Sequence, residues 1–196
     1  MAGMRATQER LEEAEKLIRA PSFRQNKGLG NEVGYYVFDY PPRDELEVRE
    51  WVQYWKNKNN PTTDGYTLVV FDLYNIMIDM LEEDDYLDRC FEFEEQSGIG
   101  EVIDAVMDLF QLDKPNGYLV EHITRNTPSD AVLILTGVGK CFPVLRSHHI
   151  LNNLHQVFDK VPVVLLYPGK YDGQELVLFG SVKDDNYYRA FRLVSD

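Results

Sequence analysis

Three apolar runs of strand length set the terms for this chain: Thr67-Leu-Val-Val-Phe-Asp72, Ala131-Val-Leu-Ile-Leu135 and Val161-Pro-Val-Val-Leu-Leu-Tyr167. None alternates apolar with polar residues, so each reads as a strand covered on both faces. The segments between them carry helical spacing. Val48, Trp51, Val52 and Trp55 share one face of 43–58, and Val102, Ile103, Val106 and Phe110 join Ile99 on one face of 99–110. Helical segments between buried strands make crossover connections, and crossovers pair strands in parallel. The expectation is an α/β fold with a mainly parallel central sheet and helices on both faces.

The remaining elements fall into that frame. Tyr35-Tyr-Val-Phe-Asp39 reads as a first strand closed by Pro41-Pro42. One long helix is expected over about 74–96, with Met77, Met80, Leu81, Leu87 and Phe91 inward and Gly98 as its breaker. Shorter helices are expected at 116–125 and at 144–159, the latter with Pro143 in its first turn and Ile150, Leu151, Leu154 and Phe158 inward. After Tyr167 the turns at 168–173 and 184–186 leave too little chain for crossovers. Leu176–Gly180 and Tyr188–Val194 therefore read as antiparallel C-terminal edge strands. Residues 6–19 form a helix with only Leu11, Leu17 and Ile18 as apolar positions, stopped by Pro21. Residues 1–30 are read as an N-terminal helical arm and 31–196 as a single α/β domain.

No apolar stretch approaches the ~20 residues of a membrane-spanning helix. Cys90 and Cys141 lie too far apart for a CxxC pair, and the amino terminus has no features of a targeting peptide. The expectation is reduced thiols in a cytoplasmic protein.

Charge is distributed unevenly. The formal net charge is −13. Residues 79–104 hold eleven carboxylates against the single cation Arg89, which accounts for most of that excess. Residues 1–30, with Arg5, Arg10, Lys16, Arg19, Arg24 and Lys27, are slightly basic. The balance argues against a broad grip on phosphate backbones, leaving Arg5–Lys27 as the one stretch suited to nucleic acid. An acidic run is commonly a solvated helix face. If it is more than that, Glu82, Glu83 and Asp85 would meet a basic partner protein.

In open α/β sheets ligands bind beyond the carboxyl ends of the strands. The loops there carry Asp39, Asp72 and Gly137-Val-Gly139-Lys140-Cys141. A glycine turn before a helix, with Lys140 beside it, suits an anion or nucleotide phosphate, and Leu68-Val-Val-Phe-Asp72 looks like a magnesium-holding strand. The spacing rejects a true P-loop, because its first glycine would stand at Ile134 and its hydroxyl at Cys141. The expected topology is therefore P-loop-NTPase-like without an intact P-loop. The structural alternatives are close packing for Gly137 and Gly139, and capping of the following segment for Asp39 and Asp72. His148, His149 and His155 lack an HExxH pattern, and there is no Gly-x-Ser-x-Gly elbow. No nucleophile–base pair can be named. The chain reads as non-enzymatic, with no cofactor and no metal.

Four segments carry a family resemblance: Thr136–Ser147, Asn152–His155, Val163–Gln174 and Phe179–Phe191. They resemble the carboxyl-terminal half of the BrxB family of bacteriophage exclusion (BREX) defence systems. The strands ending in Asp39 and Asp72 are similar to that family as well. The resemblance implies a component of a multi-protein phage-defence assembly without catalysis of its own. It implies contact with the PglZ-type, alkaline-phosphatase-like subunit and other BREX subunits. Function is thus expected to be that of a protein–protein adaptor, with a degenerate P-loop-like nucleotide-binding regulatory subunit as the alternative.

Overall fold

The computed structural model describes residues 6–24, 34–184 and 190–195. In chain order the elements are α1 (Thr7–Arg19), α2 (Pro21–Arg24), β1 (Tyr35–Tyr40), α3 (Glu45–Lys58), α4 (Pro61–Asp64) and β2 (Thr67–Asp72). Then follow α5 (Leu73–Glu83), α6 (Leu87–Ser97), α7 (Ile99–Phe110), α8 (Tyr118–Arg125), β3 (Ala131–Thr136), α9 (Val138–Cys141) and α10 (Ser147–Val157). The chain closes with β4 (Val163–Tyr171), β5 (Leu176–Leu178), β6 (Val182–Asp184) and β7 (Phe191–Arg192). No described helix is long and apolar enough to cross a membrane.

The main sheet runs β2-β3-β4-β1-β7, and every pair along it is parallel. Period-2 alternation divides its side chains between two cores, as expected for strands covered on both faces. Tyr35, Val37, Leu133, Leu135, Val163 and Leu165 pack with α5, α7, α8 and α10. Phe38, Tyr40, Leu68, Val132, Ile134, Val164 and Leu166 pack on the opposite face with α1 and α3. In α1 the residues Leu11, Ala14 and Ile18 are buried in that second core. In α10, Ile150, Leu151, Leu154 and the following Phe158 are buried as the spacing predicts.

Three expectations need correction. The long helix over 74–96 is two helices, interrupted at Asp84–Tyr86, where Asp85 takes a positive φ of 56°. The break swings α6 outward, so Phe91 is exposed rather than inward, and Ile99 at the start of α7 is exposed with it. Pro143 does not open the 144–159 helix. It follows α9 through a cis peptide bond, and α10 begins at Ser147.

The antiparallel edge is only partly as expected. β5 pairs antiparallel with the far end of β4, and β6 pairs antiparallel with β5. The last strand, β7, instead lies parallel to β1, with Tyr36 opposite Phe191 and Val37 opposite Arg192. After two reversals β6 runs with β4, and β7 runs the same way, so β7 is not the hairpin partner of β6 and pairs in parallel with β1 instead.

Candidate functional site

Asp72 ends β2 and caps α5. Its Oδ1 accepts a hydrogen bond from the backbone N–H of Asn75 at 3.2 Å, satisfying one of the free amides of a helix start. Because β2 and β3 are parallel neighbours with Asp72 opposite Thr136, the turn after β3 falls beside this carboxylate. Lys140 Nζ donates to Asp72 Oδ2 at 2.5 Å, and the ammonium lies 5.3 Å from the centroid of the Tyr74 ring.

The two glycines of the turn have packing reasons. Gly137 adopts φ +82°, and a β-carbon there would stand 2.5 Å from Asp72 Oδ1. A β-carbon on Gly139 would meet Phe179 Cζ at 2.9 Å and Pro168 Cγ at 3.1 Å. The backbone N–H groups of Lys140 and Cys141 both donate to the Gly137 carbonyl, at 3.0 and 3.2 Å, so the turn spends them internally. The Cys141 thiol is pushed up to about 12, first by burial and then by the Asp72 charge, with Lys140 opposing. It is a neutral thiol under ordinary conditions.

Asp39 belongs to a different place. β4 separates β3 from β1, so Asp39 does not join Asp72, Gly137, Gly139 and Lys140. Its carboxylate is buried and does not cap the following segment. Oδ1 accepts from Arg10 of α1 at 2.9 Å, while Oδ2 accepts from the Tyr171 N–H at 3.0 Å and faces Arg192 at 3.4 Å. Arg10 also donates to the Asp39 carbonyl at 2.8 Å and to the Val194 carbonyl at 3.4 Å. The Arg192 guanidinium bonds the Tyr171 carbonyl as well. This buried cluster ties α1, β1, β4 and β7 together. Sequence reasoning missed Arg10, Tyr171 and Arg192. A signal for Arg10 existed: it shares the apolar face of α1 with Leu11, Ala14 and Ile18, and a charge on such a face implies a buried partner.

Two open grooves flank these clusters at the carboxyl ends of the strands. One, of about 610 Å³, is lined by residues including Arg10, Asp39, Arg43, Tyr171 and Arg192. The other, of about 480 Å³, is lined by Val52 and Lys56 of α3, Val70 and Asp72 of β2, Ile76 of α5 and Gly137. The histidines are scattered in role. His155 lies against the Tyr35 ring at 5.0 Å, and the rings of His148 and His149 meet edge to face at 4.1 Å. Among the described residues no cluster of three His, Cys, Asp or Glu could hold a metal ion.

Glu82, Glu83 and Asp85 are all exposed, at the end of α5 and in the break that follows it. The neighbouring α6 buries none of its residues. On it Phe91 is 57% and Phe93 37% exposed, among Glu92, Glu94 and Glu95. Leu87 and Cys90 of α6 pack partly against the core, and its other face exposes the two phenylalanines among carboxylates.

Residues 69–193 match the family described as BREX protein BrxB. The chain is 46% identical over 191 residues to the BREX protein BrxB of Bacillus cereus (strain H3081.97), covering 97% of this chain and 99% of the relative. It is 30% identical over 187 residues to the BREX protein BrxB of Escherichia coli O9:H4 (strain HS), covering 95% and 91% respectively. No solved structure matches the chain.

Proposed function

The chain belongs to the BrxB family, and from that premise we propose that it serves a BREX phage-defence system as a non-catalytic adaptor in the cytoplasm, binding the PglZ-type subunit. The observation that carries this reading is the acidic and aromatic surface of α5 and α6. There Glu82, Glu83 and Asp85 are exposed at the end of α5 and in the break after it, and Phe91 and Phe93 are exposed on α6. Apolar anchors ringed by one sign of charge favour a partner of opposite charge, with the charge setting encounter rate and register. The partner surface is accordingly basic with apolar recesses.

The test is co-expression of the tagged chain with the PglZ-type protein and measurement of the captured partner. The triple substitution Glu82→Lys, Glu83→Lys and Asp85→Lys is expected to lower capture at least tenfold while the melting temperature stays within a few degrees. Undiminished capture by the folded variant returns the acidic run to solvated surface. Failure of the wild-type chain to capture the partner removes the adaptor reading.

A second reading, a nucleotide-binding regulatory subunit without an intact P-loop, draws on the groove of about 480 Å³ beside Asp72 and Gly137. Against it stands the Lys140–Asp72 ion pair, which neutralises the cation that a phosphate would need.

A further inference from the structure

Among the described residues β2 is an edge of the main sheet, paired with β3 on one side only. The hydrogen bonds show which groups face the free side. Thr67 N–H donates to the Asp130 carbonyl, toward β3, at 3.2 Å. Leu68 N–H points the other way and donates to Asn59 Oδ1 at 2.8 Å, while Asn59 Nδ2 donates to the Tyr66 carbonyl at 3.3 Å. The Asn59 amide thus pairs with the first part of the edge as the peptide group of a neighbouring strand would. By alternation, the Leu68 carbonyl and the N–H and carbonyl of Val70 face the same free side, and Asn59 does not reach that far.

Past Asn59, Val70 and Phe71 line the groove of about 480 Å³, which continues over the carboxyl ends of the neighbouring strands to Thr136, Leu166 and Tyr40. Edge strands are ordinarily blunted by charge, proline or a bulge. Between Leu68 and Phe71 there is no charge and no proline, and the register with β3 runs unbroken from Thr67 to Asp72. Val69, Val70 and Phe71 are half-buried. The walls mix apolar and polar side chains: α3 contributes Val48 and Val52 beside Arg49, Gln53 and Lys56, and α5 contributes Ile76 between Asn75 and Asp79.

We propose that the free edge of β2 receives an extended segment of a partner protein as an added strand, an inference that rests on the adaptor reading. The occupant spans about four or five residues, with apolar side chains toward Val52 and Ile76 and charged ones toward the rim. A second folded copy does not fit. It would set the same acidic α5 side, Asp79, Glu82 and Glu83, on a chain of net charge −13, against its equal.

The charges of the rim define the ends of the segment. Glu45 is paired with Arg49 and Asp72 with Lys140. That leaves Lys56 on the α3 wall against Asp79 on the α5 wall. Glu82 and Glu83 extend the acidic side at helical spacing from Asp79. The segment therefore carries Lys or Arg next to its apolar stretch, on the side of α5. Main-chain hydrogen bonds supply affinity in this mode, and the flanking charges supply choice of partner.

Hydrogen–deuterium exchange of the full chain, alone and in the complex purified after co-expression with the PglZ-type protein, tests the inference. The Val70 amide is expected to exchange at least tenfold more slowly in the complex. Unchanged exchange across 68–72 in an intact complex overturns strand addition and leaves the adaptor reading standing. If no complex forms, both fall. As a second arm, Val70→Pro removes an N–H that faces the edge, not one that bonds β3, so folding should survive. Capture should drop at least tenfold, and full capture by the folded variant overturns the inference. Should Val70→Pro fail to fold, the exchange measurement on the wild-type chain decides.

Discussion

Arg10 of α1 holds both the carboxylate and the backbone carbonyl of Asp39 of β1, at 2.9 and 2.8 Å, with both side chains nearly excluded from solvent. The pair lies 29 residues apart in sequence and fastens the first helix over the carboxyl end of the first strand. Arg192 approaches the second carboxylate oxygen from the last strand. Asp39 therefore joins both ends of the chain to the sheet.

Removing one member of such a pair leaves an unpaired buried charge, which costs about 3–5 kcal/mol. Asp39→Ala is expected to destabilise the chain by that amount in urea unfolding. Arg10→Met should cost less, because Asp39 keeps Arg192 and the Tyr171 N–H as partners. A loss below about 1 kcal/mol for either variant would show that the cluster contributes little to stability.

Lys140 and Asp72 are each about a quarter exposed, so their ion pair is worth about 0–1 kcal/mol. Lys140→Met should leave the melting temperature nearly unchanged. ATP with magnesium is expected to shift neither the wild type nor this variant in a thermal-melting assay. A shift in the wild type that vanishes in Lys140→Met would replace the pure adaptor with the nucleotide-binding reading.

Cys141 predicts a specific alkaline sensitivity. Its thiol is raised from an ordinary value of 9 to about 12, chiefly by burial. Above pH 9 the unfolded chain releases this proton while the folded chain keeps it. The unfolded state then binds fewer protons, and stability falls with rising pH by about 1.4 kcal/mol per unit until the folded value is reached. Cys90 and the buried Tyr35 and Tyr40 are raised as well, so they add to the alkaline loss. Urea midpoints measured from pH 9 to 10 in the wild type and in Cys141→Ala isolate the contribution of Cys141. The variant should show the shallower slope, and equal slopes would refute this assignment.

Much of the architecture is legible along the chain because periodicity is a local property. The run Thr67–Asp72 coincides with β2, and its lack of alternation reflects cores on both sides of the sheet. The acidic segment was equally visible by counting charge. The break at Asp85 was not, because an aspartate in a left-handed turn has no signature that separates it from its acidic neighbours. That break decides whether Phe91 is core or surface.

The assembly of the candidate site was decided elsewhere. Asp39 and Asp72 look equivalent in sequence, each at the end of an apolar strand. Strand order sets Asp72 beside Gly137 and Lys140, places β4 between that cluster and Asp39, and brings Arg10 and Arg192 to Asp39 instead. The sequence by itself determined the elements, their two-sided burial and the concentration of negative charge, all properties of neighbouring residues. Only the tertiary structure decided which strand ends meet, which carboxylate finds which cation, and that β2 lies at an open edge. Those outcomes depend on the packing of crossovers and helices between residues far apart in the chain, which no local pattern encodes.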